Sequence, residues 1–200
     1  MLTLTDALAR RFGRTLWEMG RAEAVGLAVV ALIRDDPMLS SEERAFIADH
    51  LIPEERRHAR ITRRWAATWA PAPRNPSDLL GATYARDGHM AAAMRGPARL
   101  AWTVAILHWG EKNACRSYPA WVELFARLSP AMAADFLEIL ADERTHLAWS
   151  RRLVARIKRE DVPLFRRYSA AKVLVDRIYP TVARSHSAIF RELKEATGGK

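Results

Sequence analysis

Apolar side chains recur along most of this chain every three or four residues, which is the spacing of one face of an amphipathic helix. Glycine is sparse, with 9 among 200 residues, and runs of β-branched residues are short. The sequence therefore predicts an all-α fold in a single domain that covers residues 1–200. The predicted helices span about residues 5–34, 41–70, 97–128, 130–158 and 164–195, the last of them interrupted at Pro180.

Residues with strong positional preferences mark where these helices begin and break. Ser40–Glu43 has the spacing of a capping box, and Ser129–Pro130 is an N-cap serine followed by a proline suited to the first turn. Pro53 lies inside the second helix, where it should kink or bulge the backbone because proline has no N–H group. Pro119 should bend or end the third helix for the same reason.

The connection between the second and third helices is the longest in the chain. It opens at Pro71–Pro76 and lasts to about Gly96–Pro97, which is too long for a tight helical hairpin. We expect a long crossover there, in which residues 79–94 could form a short extra helix. It could cover a site or form a homodimer surface, and His89 within it is interpreted as a surface residue.

Two copies of one short motif interrupt the apolar faces of the helices. Glu143 and His146 are three residues apart, so a helix projects them from one face. Glu55 and His58 repeat this Glu-x-x-His spacing 88 residues earlier in the chain. Each pair shares its face with apolar residues, and an unpaired carboxylate in such surroundings is costly.

Two further acids complete a repeated pattern. Glu23 and Glu111 lie at the apolar centres of the first and third helices, again 88 residues apart and each 32 residues before a Glu-x-x-His motif. Glu18 is the rival to Glu23, but its helical neighbours are mostly polar. The order Glu, Glu-x-x-His thus occurs twice, once in each half of the chain.

This residue set suits a pair of divalent cations. Four carboxylates offset the repulsion between two metal ions and can bridge them, while one imidazole per metal leaves positions open. At these residues the chain resembles the ferritin-like diiron carboxylate superfamily over roughly residues 5–158. The resemblance implies a ferritin-like four-helix bundle with a long crossover between helices 2 and 3 and an extra C-terminal helix. It implies these metal ligands: Glu23, Glu55, His58, Glu111, Glu143 and His146.

The resemblance also implies roles and a function. Glu55 and Glu143 are expected to bridge the metals and to be the catalytic carboxylates, and Glu23 and Glu111 to be terminal ligands. Two Fe ions are the expected cofactor, although Mn or a mixed Mn/Fe pair suits the same ligands. The implied activity is a non-haem diiron oxidoreductase that activates O2, with an external reductant, to oxidise or hydroxylate a small-molecule or carrier-bound substrate.

Two other functions remain open at this stage. One is a ferroxidase, iron-handling or peroxide-scavenging protein, although rubrerythrins usually add a cysteine pair and this chain has one cysteine, Cys115. The other is a metal-free helical binding protein whose acids and histidines form buried ion pairs. The doubled spacing of the motifs argues against that alternative.

Three further residues lie near the motif residues in the sequence. His108 shares the face of Glu111, and Tyr118 lies two turns beyond it on the same side. His108 could be an extra ligand, but a hydrogen bond to a ligand or packing in the core is favoured. Tyr118 could be a redox partner beside the ligands, but packing is favoured. Asp142 directly precedes Glu143 and is expected to point elsewhere.

The positive charge is concentrated near the C-terminus. Residues 144–200 carry 14 basic and 5 acidic side chains, which accounts for the whole formal net charge of +9. The C-terminal segment, about residues 164–196, is therefore a candidate surface for an acidic carrier protein, a polyanion such as tRNA or an anionic membrane. A cytoplasmic protein is expected, because one cysteine allows no intramolecular disulfide, no signal peptide is evident and the longest apolar run is too short to span a bilayer.

Overall fold

The computed structural model describes residues 4–72, 96, 98–178 and 180–198. In this part of the chain the regular structure is helical and contains no strand, which confirms the all-α class. A π-helical turn, Ile47–Leu51, joins the second and third helices. The α-helices are α1 (Asp6–Ala31), α2 (Ser41–Phe46), α3 (Ile52–Trp69), α4 (Arg99–Leu128), α5 (Pro130–Glu160), α6 (Val162–Ile178) and α7 (Pro180–Ala196). The predicted crossover helix at 79–94, His89 and Pro97 lie outside the described residues.

The predicted helix starts have the expected hydrogen bonds. The Ser40 hydroxyl accepts from the backbone N–H of Glu43 at 3.1 Å, and the Glu43 carboxylate accepts from the N–H of Ser40 at 2.8 Å. These two bonds form the capping box that opens α2. Ser129 caps α5 by accepting from the N–H of Met132 at 3.3 Å, with Pro130 in the first turn.

The two internal prolines have different effects on their helices. Pro53 lies just after the π-helical turn, where the N–H of Ile52 donates to the carbonyl of Ile47 five residues back. The bulge expected near Pro53 is therefore present. Pro119 lies inside α4, which continues to Leu128, so the alternative that the helix ends at this proline is wrong. Buried Tyr118 and Trp121 flank Pro119, and we attribute the continuation to their packing.

Four long helices form two antiparallel pairs, α1 with α3 and α4 with α5. The pairs contact each other through α1 with α4 and through α3 with α5. Gly13 allows α1 to approach α3 closely, because a Cβ atom there would lie 2.5 Å from the Cβ of Ala70.

Two apolar clusters fill the space between the helix pairs. One includes Phe12, Phe125 and Phe136, and the other includes Val30 and Trp102. On all four long helices the predicted ligand positions lie in sequence between residues of the first cluster and residues of the second. The fold therefore places those polar side chains in a layer between two hydrophobic cores.

The last two helices pack against the outside of these pairs. The helix α6 contacts α4 and α5 with one apolar face that buries Leu164, Tyr168, Ala171 and Val175. The helix α7 contacts α1, and the side chains of Glu192 and Arg11 form an ion pair at 2.6 Å. None of the described helices combines the length and apolar character needed to cross a membrane.

Candidate metal centre

The structure brings all six predicted ligands together between the helix pairs. They form two overlapping groups, and within each group one potential ligand atom per residue lies within 4.8 Å of the others. Glu55 and Glu143 belong to both groups, which is the arrangement that two bridging carboxylates require. One group is Glu23, Glu55, His58 and Glu143, and the other is Glu55, Glu111, Glu143 and His146. Glu18, the rival to Glu23, belongs to neither group.

Each imidazole directs one nitrogen towards carboxylates of the cluster. Nδ1 of His58 lies 3.3 Å from Oε1 of Glu143. Nδ1 of His146 lies 3.5 Å from Oε1 of Glu55 and 3.7 Å from Oε2 of Glu111. Both rings are fully buried, and their centroids are 5.9 Å apart. The two histidines therefore occupy equivalent places in the two groups.

The opposite nitrogen of each imidazole is held by an acid from the other motif. Nε2 of His58 lies 2.8 Å from Oδ2 of Asp142, and Nε2 of His146 lies 2.7 Å from Oε2 of Glu54. A carboxylate in this position fixes the ring orientation and favours the proton on Nε2, which leaves Nδ1 free to bind a metal. The acid that directly precedes each Glu-x-x-His motif thus crosses to the histidine of the other motif.

These two acids were not recognised as site residues in the sequence. Asp142 indeed points away from its neighbour Glu143, but it turns to His58 instead of leaving the site. The available signal was the acid pair at the start of each motif, Glu54–Glu55 and Asp142–Glu143. Asp142 also forms an ion pair with Arg57. Burial opposes its charge, but the contacts with His58 and Arg57 lower the pKa of Asp142 overall.

The buried acids have strongly perturbed ionisation. Burial raises the pKa of Glu111 to about 7. Burial, together with the nearby carboxylate of Glu111, raises the pKa of Glu143 to about 8. Burial disfavours the charged form of His58, yet the hydrogen bond to Asp142 and the nearby carboxylate of Glu143 raise its pKa to about 10. Perturbations of this kind are frequent where a protein interior is arranged to hold charge or perform chemistry.

Polar atoms left without hydrogen bonds show that the cluster suits a bound cation. Nδ1 of His58, Nδ1 of His146 and Oε2 of Glu111 are buried, and none of them has a hydrogen-bond partner among the described residues. All three are potential ligand atoms of the two groups. Most buried polar atoms in proteins have a hydrogen-bond partner or a bound ion, so these three atoms are expected to have one as well. Divalent cations with a preference for oxygen and imidazole would satisfy these atoms and offset the four carboxylates.

The two predicted neighbours of the site differ in their contacts. The buried hydroxyl of Tyr118 donates a hydrogen bond to Oε1 of Glu23 at 2.9 Å. His108 is only partly buried, and its Nδ1 lies 3.1 Å from the hydroxyl of Ser150. Tyr118 therefore contacts a candidate ligand directly, while the described hydrogen bond of His108 is to a serine on α5.

A cavity of about 710 Å³ extends from the carboxylate side of the cluster to the surface. It runs between α1, α4 and α7, and all four candidate glutamate ligands line it, whereas neither His58 nor His146 does. Most of its remaining wall is apolar, including Met19, Leu107 and Trp121. Its volume is in the range, about 300–1,000 Å³, of protein pockets that bind organic ligands.

Comparison with known proteins identifies no relative. No protein-family model, no curated protein and no solved structure matches this chain. The function is therefore argued from the residues and geometry of the site.

Proposed function

We propose that this chain is a ferritin-like, non-haem diiron oxidoreductase that uses O2 to oxidise or hydroxylate an organic substrate. The observation that carries the proposal is the pair of overlapping ligand groups that share Glu55 and Glu143. The two antiparallel helix pairs and the long stretch between α3 and α4 are compatible with a ferritin-like four-helix bundle with a crossover.

The residues present fit two iron ions. Glu23 and His58 would hold one ion, Glu111 and His146 the other, and Glu55 and Glu143 both. Iron in this setting would supply the reduction of O2. In a hydroxylation one oxygen atom would enter a C–H bond and the other would leave as water, with two electrons supplied by an external reductant and two protons by the solvent. Manganese fits the same donor atoms, so a mixed Mn/Fe pair belongs to the same proposal.

The protein side chains would orient the reactants and exclude water. Asp142 and Glu54 hold the imidazoles from behind, so the open side of the cluster faces the cavity. The apolar wall would position a substrate beside the carboxylates and limit access of water. The hydroxyl of Tyr118 holds Glu23 at the cavity face and fixes the position of that carboxylate.

The cavity favours oxidation of an organic substrate over iron storage. A protein that only oxidises iron needs a path for hydrated ions, for which a polar channel is suitable. Here the wall is mostly apolar and includes Trp109, Trp121 and Phe190. Such a wall suits an organic molecule better than a hydrated cation.

The test begins with anaerobic addition of Fe(II) to the metal-free protein and measurement of the bound iron. We expect two irons per chain and, after O2 is added, a transient visible absorption. Glu143→Ala and His58→Ala should each lose at least one iron while the far-ultraviolet spectrum stays helical. Glu138→Ala is the matched control, because Glu138 is an exposed acid on the same helix as Glu143.

Three results would contradict the proposal. If both ligand variants still hold two irons, the ligand assignment is wrong. If the wild-type protein binds no metal, the buried acids are structural. Rapid conversion of added iron to a mineral would instead favour the ferritin-type alternative.

A further inference from the structure

The residues that line the cavity change in character from the metal cluster to the surface. Glu55, Glu111 and Glu143 are buried at the inner end, where they meet Glu23. The outer end is formed by the exposed residues of the lining. Among the described residues, no aspartate or glutamate lies at this outer end. These exposed residues are Gly110, Arg116, Ser117, Ala120, Ser187 and Arg191. The cavity thus has a carboxylate floor, a mainly apolar middle and a basic rim.

The two rim arginines come from different helices. Arg116 belongs to α4 and Arg191 to α7. Each of these two helices therefore contributes one arginine to the mouth of the cavity. In the described part of the chain, neither guanidinium forms an ion pair or a hydrogen bond. By contrast, Arg11 on α1 forms an ion pair with Glu192 of α7. A guanidinium offers a planar set of donors that matches the oxygen atoms of a carboxylate or phosphate.

We propose that the substrate is an amphipathic organic anion, with a carboxylate or phosphate head group bound by Arg116 and Arg191 and an apolar body in the cavity. This inference deepens the proposed function and rests on it, because it names the class of molecule that the oxidising centre would act on. Among the described residues that line the cavity, Arg116 and Arg191 are the basic ones, so the head group lies at the rim and the apolar end of the molecule points to the candidate metal ligands. The oxidised carbon therefore lies remote from the head group.

The order of groups along the cavity disfavours other substrate classes. A cationic ligand would meet two arginines at the mouth and would be repelled there. A small polar molecule would leave the apolar wall without contacts. An uncharged apolar molecule could enter, but it would gain nothing from the arginines.

The test compares ligands with one chain length and different head groups. Octanoate, octyl phosphate, 1-octanol and octyltrimethylammonium are titrated by calorimetry into the full-length chain, both metal-free and loaded with Zn(II). We expect octanoate or octyl phosphate to bind about tenfold more tightly than 1-octanol, as one charge-assisted contact provides. The ratio of the two anions distinguishes a carboxylate head group from a phosphate.

The variants assign this preference to the rim. In Arg116→Gln/Arg191→Gln the anions should lose their advantage, while the affinity for 1-octanol stays unchanged. Arg127→Gln is the control, since Arg127 is exposed on the same helix as Arg116 and does not line the cavity. Equal binding of octanoate and 1-octanol, or a preference that survives in the double variant, would overturn the inference.

These outcomes are separable from those of the proposed function. If the chain takes up no iron but discriminates anions through Arg116 and Arg191, the binding inference stands and the oxidase proposal is wrong. If the chain binds two irons but shows no head-group preference, the oxidase proposal stands and the proposed substrate class is wrong.

Discussion

Asp142 and His58 are joined across two helices by a contact of 2.8 Å between Oδ2 and Nε2. The contact has a counterpart on the other side of the centre, between Glu54 and His146 at 2.7 Å. Each acid directly precedes one Glu-x-x-His motif, and the imidazole that it contacts belongs to the other motif. The two motifs are therefore tied together by hydrogen bonds as well as by their shared position in the cluster.

The first prediction concerns Asp142→Asn. An amide preserves the shape but removes the negative charge that stabilises a proton on Nε2 of His58, so Nδ1 becomes a poorer ligand. We expect metal affinity to fall on the order of 10–100-fold, as is usual when such a partner is lost. Competition with a chelator of known affinity measures the change.

A matched control is available on α6. Asp176 is an exposed aspartate whose ion pair, with Lys172 at 2.5 Å, lies on that helix. Asp176→Asn should leave metal affinity unchanged. Equal affinities in wild type and Asp142→Asn would mean that the contact with His58 has no part in metal binding.

The second prediction is that metal uptake releases protons. The pKa of Glu111 is raised to about 7 and that of Glu143 to about 8 in the metal-free protein, chiefly by burial, so these carboxyls retain protons at neutral pH. A metal binds their ionised forms and must displace those protons. Affinity should therefore rise with pH from about 6 to 9, because deprotonation costs less as the pH approaches and passes each pKa.

Calorimetry with Zn(II) in buffers of different ionisation enthalpy measures the number of protons released. The redox-inert ion separates this measurement from O2 chemistry. Glu143→Gln should release fewer protons than wild type at the same pH. Binding enthalpies that do not vary with the buffer would show that the acids are already ionised.

Local sequence pattern was sufficient to predict which acids and histidines share the cluster, but not which residues support them. Glu55 and His58 are related by helical periodicity alone, so their common direction follows from the sequence. The contact of Asp142 with His58 depends on how α5 is aligned with α3, which no local pattern specifies. Arg116 and Arg191 likewise line one cavity only because α7 packs beside α1 and α4. At Pro119 the local pattern was misleading, because proline favours the end of a helix but α4 continues past it to Leu128.

The third prediction concerns the space that Gly26 leaves for a ligand. A Cβ atom on Gly26 would lie 3.3 Å from Oε2 of Glu55, which is closer than an ordinary van der Waals contact. Gly26→Ala should therefore displace the Glu55 carboxylate by a few tenths of an ångström and weaken metal binding roughly tenfold, given that a well-placed ligand contact is worth about that factor. The measurement is chelator competition together with the number of bound metals.

Gly110→Ala is the control for this substitution. A Cβ at Gly110 meets no atom within 4 Å, although the residue also lines the cavity. Its metal affinity should equal that of wild type. A loss of affinity in both variants would point to a general effect of helix glycines and remove the role assigned to Gly26.

The fourth prediction concerns the contact between α1 and α3 at Gly13, which is not among the candidate metal ligands. A Cβ on Gly13 would lie 2.5 Å from Cβ of Ala70 and 2.7 Å from its backbone nitrogen, so the helices must separate to accommodate it. Gly13→Ala should lower the free energy of unfolding by about 1–3 kcal/mol, as overpacking usually does. Gly110→Ala, with no such contact, should instead raise it by about 0.5–1 kcal/mol, because alanine favours a helix over glycine. Urea unfolding of both variants without metal measures the difference, and a Gly13→Ala protein as stable as Gly110→Ala would mean that α1 and α3 are not packed as closely as described.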